Sequence, residues 1–175
     1  LILHSFDFKE RGYPLEIKSH VKTSDDTLDA IWDISERTLR RCMHENYVDC
    51  PFYEQLQYIM DTRGQILYTY ASSMDDRLAR QALDDFKRSH RYDGLLYSAY
   101  PNTRPNVIPG FSMYYIMMVH DHMMYFGDKK LVRNHIPTIE NILNTFEDGL
   151  TDKGYVKTIG NFYGGRFWGF IDWAG

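Results

Sequence analysis

Apolar residues recur at three-to-four spacing along most of this chain, as they do in helices that bury one face. Leu28, Ile31, Trp32, Leu39, Cys42 and Met43 mark a first helix. Ser24-Asp25-Asp26 supplies its cap and acidic first turn, and it ends before Pro51. A second helix is predicted over residues 54–72, with Leu56, Ile59, Met60, Ile66, Leu67 and Tyr70 as its apolar stripe. Asp75-Asp76 caps a third, which turns Leu78, Ala82, Leu83 and Phe86 inward and ends near His90. A loop carrying Gly94, Pro101, Pro105 and Pro109 follows. A fourth helix spans residues 111–126 and stops at Gly127-Asp128. A fifth starts near Lys129, is interrupted or begun afresh at Pro137, and runs to Phe146. Residues 1–23 instead alternate with a period of two around Gly12-Tyr13-Pro14, which suggests two short strands or an extended linker leaving a β domain.

The expected fold class is therefore all-α. The second and fourth helices are apolar or aromatic around much of their circumference, the pattern of buried helices. Central helices that alternate in sequence with peripheral ones build a helical toroid, although an ordinary bundle satisfies the same pattern.

Composition narrows the function classes. With 43% hydrophobic and 25% charged residues, the chain is neither disordered nor fibrous. The net charge of −4 comes with scattered Lys and Arg and no basic stripe, so no nucleic-acid partner is expected. No apolar run approaches the ~18 residues of a membrane span, so no membrane partner is expected either. Cys42 and Cys50 make neither a disulfide framework nor a metal cluster. His120 and His122, two residues apart, point to different sides of a helix and do not pair on a metal. No metal or other cofactor is expected. Tyr leads an aromatic content of 15%, which suits walls that are apolar on one side and wet on the other.

The most informative stretch lies in the second helix. At about 100° per residue, Glu54, Tyr58, Asp61 and Gln65 fall within roughly 40° of one another, opposite the apolar stripe. Arg63 is the only base in that helix, and Asp49 adds a third carboxylate on the turn before it. Carboxylates facing one cavity repel, which raises the pKa of at least one and equips it as a general acid. On a regular helix, Glu54 and Asp61 stand about 10 Å apart along the axis. Retaining glycosidases need carboxyls about 5–5.5 Å apart, so these two are not an acid–nucleophile pair.

Asp49-Cys50-Pro51-x-x-Glu54 followed by Asp61 resembles the signature of the glycoside hydrolase family 78 α-L-rhamnosidases. Further likenesses are Thr23-Ser24-Asp25-Asp26, Tyr92-Asp93-Gly94-Leu95, Ile108-Pro109-Gly110-Phe111, Tyr125-Phe126-Gly127-Asp128 and Ile171-Asp172-Trp173. The resemblance implies an incomplete (α/α)6 toroid of about five helices, preceded by a short β segment from a β-sandwich domain. Residues 1–23 would end that domain or link to it, and residues 24–175 would be the first part of the catalytic toroid. The resemblance makes Glu54 the general acid. It gives Asp49 and Asp61 the sugar hydroxyls, and sets Asp172, Trp173 and Phe111 along the sugar subsite. The family inverts configuration, and no residue here matches its general base, which is expected outside this chain. Tyr53 stands where family members often carry Arg, and Gln57-Tyr58 and Met60-Asp61 stand where they often carry Gly-Trp and Gly-Asp. Tyr53 and Tyr58 would keep an aromatic or polar wall against the substrate. Trp168, in a glycine- and aromatic-rich stretch, is a further candidate for sugar stacking.

The expected activity is hydrolysis of terminal α-L-rhamnosides by a single inverting displacement. Two alternatives remain open: a non-catalytic carbohydrate-binding toroid, and a related glycosidase acting on another sugar. The expected partners are a rhamnose-containing glycan or glycoside and the missing remainder of the catalytic domain, without which the chain is expected to be inactive. A periplasmic or extracellular location suits such a substrate.

Overall fold

The computed structural model describes residues 2–104 and 106–157. Five helices follow one another: α1 (Asp26–Arg41), α2 (Ile59–Ser73), α3 (Arg77–Arg88), α4 (Pro109–Phe126) and α5 (Lys129–Asp148). Among the described residues the only β pairing is three isolated bridges. α2 and α4 pack most extensively on each other, while α1, α3 and α5 flank them. Inner helices therefore alternate with outer ones, which is the repeat of a helical toroid. The core runs along the inner pair through Ile59, Ile66, Tyr70, Tyr115, Met118 and Val119.

Local chemistry fixes the ends. The Asp25 carboxylate accepts from the Thr27 N–H at 2.8 Å and caps α1. Pro109 occupies the first turn of α4, where no N–H is needed. Gly127 closes α4 in the left-handed region at φ 64°, and Asp128 then caps α5 by accepting from Lys130 and Leu131. Gly94 is also at positive φ, +85°, and a Cβ there would lie 2.2 Å from the Thr145 hydroxyl, so the Asp93-Gly94 turn is a docking point on α5.

Four expectations need correction. Of the two alternatives for the first 23 residues, short strands or an extended linker, the strands do not form over the described residues 2–23. That segment instead straps the helices, with the Tyr13 N–H on the Met43 carbonyl at 2.9 Å and the Lys18 N–H on the Ser72 carbonyl at 2.8 Å. Its alternation reflects Tyr13, Leu15 and Ile17 turning toward the core. α1 is shorter than its pattern, and Leu28 and Ile31 are about half exposed rather than inward. α5 runs unbroken through Pro137. The proline is on the exposed side, so the carbonyl it frees, that of Arg133, faces water while His135, Thr138 and Ile142 hold the helix down. Finally, α2 begins at Ile59 and not at residue 54, with consequences for the site.

Candidate active site

Residues 49–58 form a loop, not a helical turn. Pro51 cannot donate, and the backbone closes on itself instead: the Asp49 N–H donates to the Leu56 carbonyl at 2.9 Å, and the Cys50 N–H to the Glu54 carbonyl at 3.0 Å. The Gln55 amide braces the turn by donating to the Pro51 carbonyl at 2.8 Å. From α2, the Gln65 amide holds the loop's root through the Val48 carbonyl at 2.7 Å. The Cys42 thiol approaches the Asp49 carbonyl at 3.6 Å from behind.

The far side of the strand-like stretch 57–59 is stitched to the 98–100 loop. The Ile59 N–H donates to the Ser98 carbonyl at 2.9 Å, and the Tyr100 N–H to the Gln57 carbonyl at 3.1 Å. Gln57 is buried, and its amide donates to the Tyr100 carbonyl at 2.9 Å and reaches Asp85 at 3.4 Å. This pairing ends the chain's freedom to be helical before Ile59.

The predicted helical stripe of Glu54, Tyr58, Asp61 and Gln65 is therefore not what gathers the acids. The loop does it. Asp49 and Glu54, at the two ends of the turn, act on each other's titration, and Asp61 in the first turn of α2 acts on Asp49. Hydrogen bonding with Asp49 raises the Glu54 pKa, with burial and the Asp49 charge adding to it. Burial raises Asp49 itself, and Asp61 adds to the shift, outweighing the hydrogen bonds with Glu54 and Cys50 that work the other way. Glu54 is exposed while Asp49 and Asp61 are half-buried, so the loop presents the Glu54 carboxyl to solvent and keeps the other two behind.

Tyr58 is half-buried, and burial followed by the charges of Glu54, Asp49 and Asp61 raises its phenol. Its ring meets Phe111 edge-on at 6.5 Å. Phe111 is buried against the core and backs Tyr58. Tyr53 stands apart from the cluster, fully open at the tip of the turn. Trp168, Asp172 and Trp173 lie outside the described residues. A groove of about 310 Å³ between α1 and α2, lined by Thr38, Leu39, Gln65 and Tyr68, reaches Asp49 from the rear.

Sequence reasoning missed Gln57 as the clamp between the acid loop and the 98–100 loop. No local signal marked it, because its partners are 28 and 43 positions away. Of the neighbouring histidines, His122 is buried and shares a 2.9 Å hydrogen bond with the Tyr70 hydroxyl, while His120 is exposed. They face different sides of α4, as their spacing requires. Among the described residues, no group of three or more His, Cys, Asp or Glu side chains is placed to hold a metal.

The family model of the bacterial alpha-L-rhamnosidase 6 hairpin glycosidase domain matches residues 16–174. The chain belongs to this rhamnosidase family. The rhamnosidase of glycoside hydrolase family 78 from Bacillus sp. GL1 superposes with a TM-score of 0.83 at 25% identity, over 93% of this chain and 16% of that one. A rhamnosidase from Klebsiella oxytoca with rhamnose bound superposes with a TM-score of 0.73 at 21% identity, over 81% of this chain and 29% of that one. This rhamnosidase-family chain thus spans less than a third of the length of either structure. No curated protein matches it. The five helices are accordingly part of an (α/α)6 six-hairpin toroid.

Proposed function

We propose that this rhamnosidase-family domain carries the acid side of a centre that hydrolyses terminal, non-reducing α-L-rhamnosides with inversion. The observation that supports this best is the carboxyl cluster of Asp49, Glu54 and Asp61, in which Glu54 is the exposed member and its pKa is raised by Asp49. Glu54 protonates the glycosidic oxygen as the bond to the anomeric carbon breaks. The proton thus leaves with the aglycone, and the Glu54 carboxylate that remains is restored by solvent. Asp49 and Asp61, behind the acid, accept hydrogen bonds from sugar hydroxyls, and Tyr58 forms the wall against the ring. The family resemblance gives Asp172 and Trp173 contacts with the sugar, and Trp168 is a further candidate for stacking on it.

The base must be elsewhere. Carboxyls that flank a sugar and an attacking water stand about 6.5–9.5 Å apart on opposite sides of it, whereas Asp49 and Glu54 are carried by one closed turn. We assign the base to a part of the toroid outside this chain. The related rhamnosidase with rhamnose bound supports the choice of sugar.

The test is Glu54→Gln in the full-length gene product, assayed on a rhamnoside with a poor alkyl or sugar leaving group. A loss of about 10²–10⁴ is expected, and a much smaller one with a nitrophenyl leaving group that needs no proton. The anomer released first, followed by NMR, is expected to be inverted. Unchanged turnover on the poor leaving group would remove Glu54 from the role. A wild-type protein that binds rhamnose without hydrolysing any rhamnoside would establish the binding-only reading instead.

A further inference from the structure

The turn that carries the acid ends in two adjacent aromatic side chains that the cluster does not use. Phe52 is 73% exposed and Tyr53 89% exposed, although large apolar groups are ordinarily withdrawn from water. They sit inside the turn closed by the Cys50–Glu54 backbone bond, braced by Gln55 on the Pro51 carbonyl. The Asp49–Glu54 pair lies at the foot of the same turn. The two rings pack edge to face, with centroids 4.9 Å apart and planes at 83°, so each holds the other's orientation.

We propose that Phe52 and Tyr53 are the recognition surface for the leaving group of the substrate and take a flat ring face. The inference rests on Glu54 as general acid. A general acid touches the leaving oxygen, so the exposed side chains at the tip of its turn lie within reach of the leaving group, whereas Asp49 at the base of the turn serves the sugar being cleaved. The sugar side has its own wall in Tyr58, which is half-buried and backed by Phe111. The outer pair differs in each respect that matters: it is open, it is carried by the acid's turn, and the ring surface not used in its own edge-to-face contact is exposed. A pre-fixed pair of rings loses little side-chain entropy when a flat partner stacks on it. Aromatic aglycones and the CH face of a neighbouring sugar share this chemistry.

The experiment compares Phe52→Ala and Tyr53→Ala with the wild type in the full-length gene product. Three substrates share one sugar: a naphthyl rhamnoside, a rhamnosyl-glucoside and methyl rhamnoside, which has no ring to stack. The wild-type preference in kcat/KM for the ring-bearing substrates over methyl rhamnoside is expected to fall about 3- to 10-fold, mostly through KM. The ring-bearing arm that falls further identifies the ring as aryl or sugar. Tyr53→Phe retains the preference, because the ring and not the hydroxyl is used. Equal losses on all three substrates, or an unchanged preference, would overturn the inference while leaving Glu54 in place. A wild-type protein with no rhamnosidase activity would instead overturn the function on which it rests.

Discussion

Two groups of titratable side chains lie along α2, and burial acts on them in opposite senses. At its start, Asp49 and Glu54 are pushed up. Toward its end, His122 is pushed down by burial and by Arg80, and it shares a hydrogen bond with Tyr70. On the next seam, between α4 and α5, His135 is lowered to about 4 and shares a 2.5 Å hydrogen bond with Tyr115. Desolvation disfavours charge in each case. The difference is access. The carboxyl cluster opens to solvent at Glu54, whereas both histidines are closed in on all sides. A shifted pKa by itself therefore marks a candidate, and exposure separates the chemical site from the structural one.

Several measurements would break or sharpen this contrast. The largest effect is expected at the acid. Beyond the loss predicted for Glu54→Gln, Asp49→Asn removes the charge that holds the Glu54 proton. The Glu54 pKa then falls, and the alkaline limb of kcat/KM moves to lower pH, with activity down about 10-fold or more. An unmoved limb would separate Asp49 from the acid.

Next in size is the cost of opening a closed pair. Tyr115→Phe strands the buried His135 Nδ1, and Tyr70→Phe strands His122 Nδ1. Each is expected to lower stability in urea by about 1–3 kcal/mol while leaving the pH profile of turnover in place. A moved pH profile would mean that the two regions are coupled.

Acid stability offers a third contrast. The histidines have folded pKa values below the ordinary ~6.5, so the unfolded state binds more protons. Their contribution is complete above about pH 6.5 and is lost as pH falls toward about 4, where His135 charges in the fold. Asp49 and Glu54 have the opposite sign: their folded values are raised, so they weaken the fold as pH rises through those values. Glu54→Gln is thus expected to stabilise the protein slightly at pH 7, by under about 1 kcal/mol, and not at pH 3. Chemical denaturation at the two pH values decides it.

Much of this was legible in the residues. Three-to-four spacing located five helices, because burial of one face leaves a periodic trace. The carboxyls at 49, 54 and 61 could be recognised as a group, but the geometry first assigned to them was wrong. Helical phase places Glu54 and Asp61 on one stripe; the protein instead folds residues 49–58 back on themselves, and pairing with Ser98 and Tyr100 stops the helix short. Such pairing is tertiary and leaves no mark near residue 57. The same limit explains Leu28 and Ile31, whose spacing is helical although their burial is not. It also explains Gln57, a polar residue that looks solvent-facing until its partners are known. Gln57→Met, which keeps the length and removes the amide, is expected to cost about 1–2 kcal/mol, the smallest of the predicted losses of stability, and to loosen the 98–100 loop. Hydrogen exchange at Ser98 and Tyr100 would report it.

The length of α2 has a practical consequence for engineering. Nine positions separate Asp61 from Tyr70, about 14 Å of rigid rod. At such separations substitutions contribute independently. The histidine end can therefore be hardened against heat or acid by conventional repacking, and whatever is gained there adds to any redesign of the acid loop without having to be renegotiated with it.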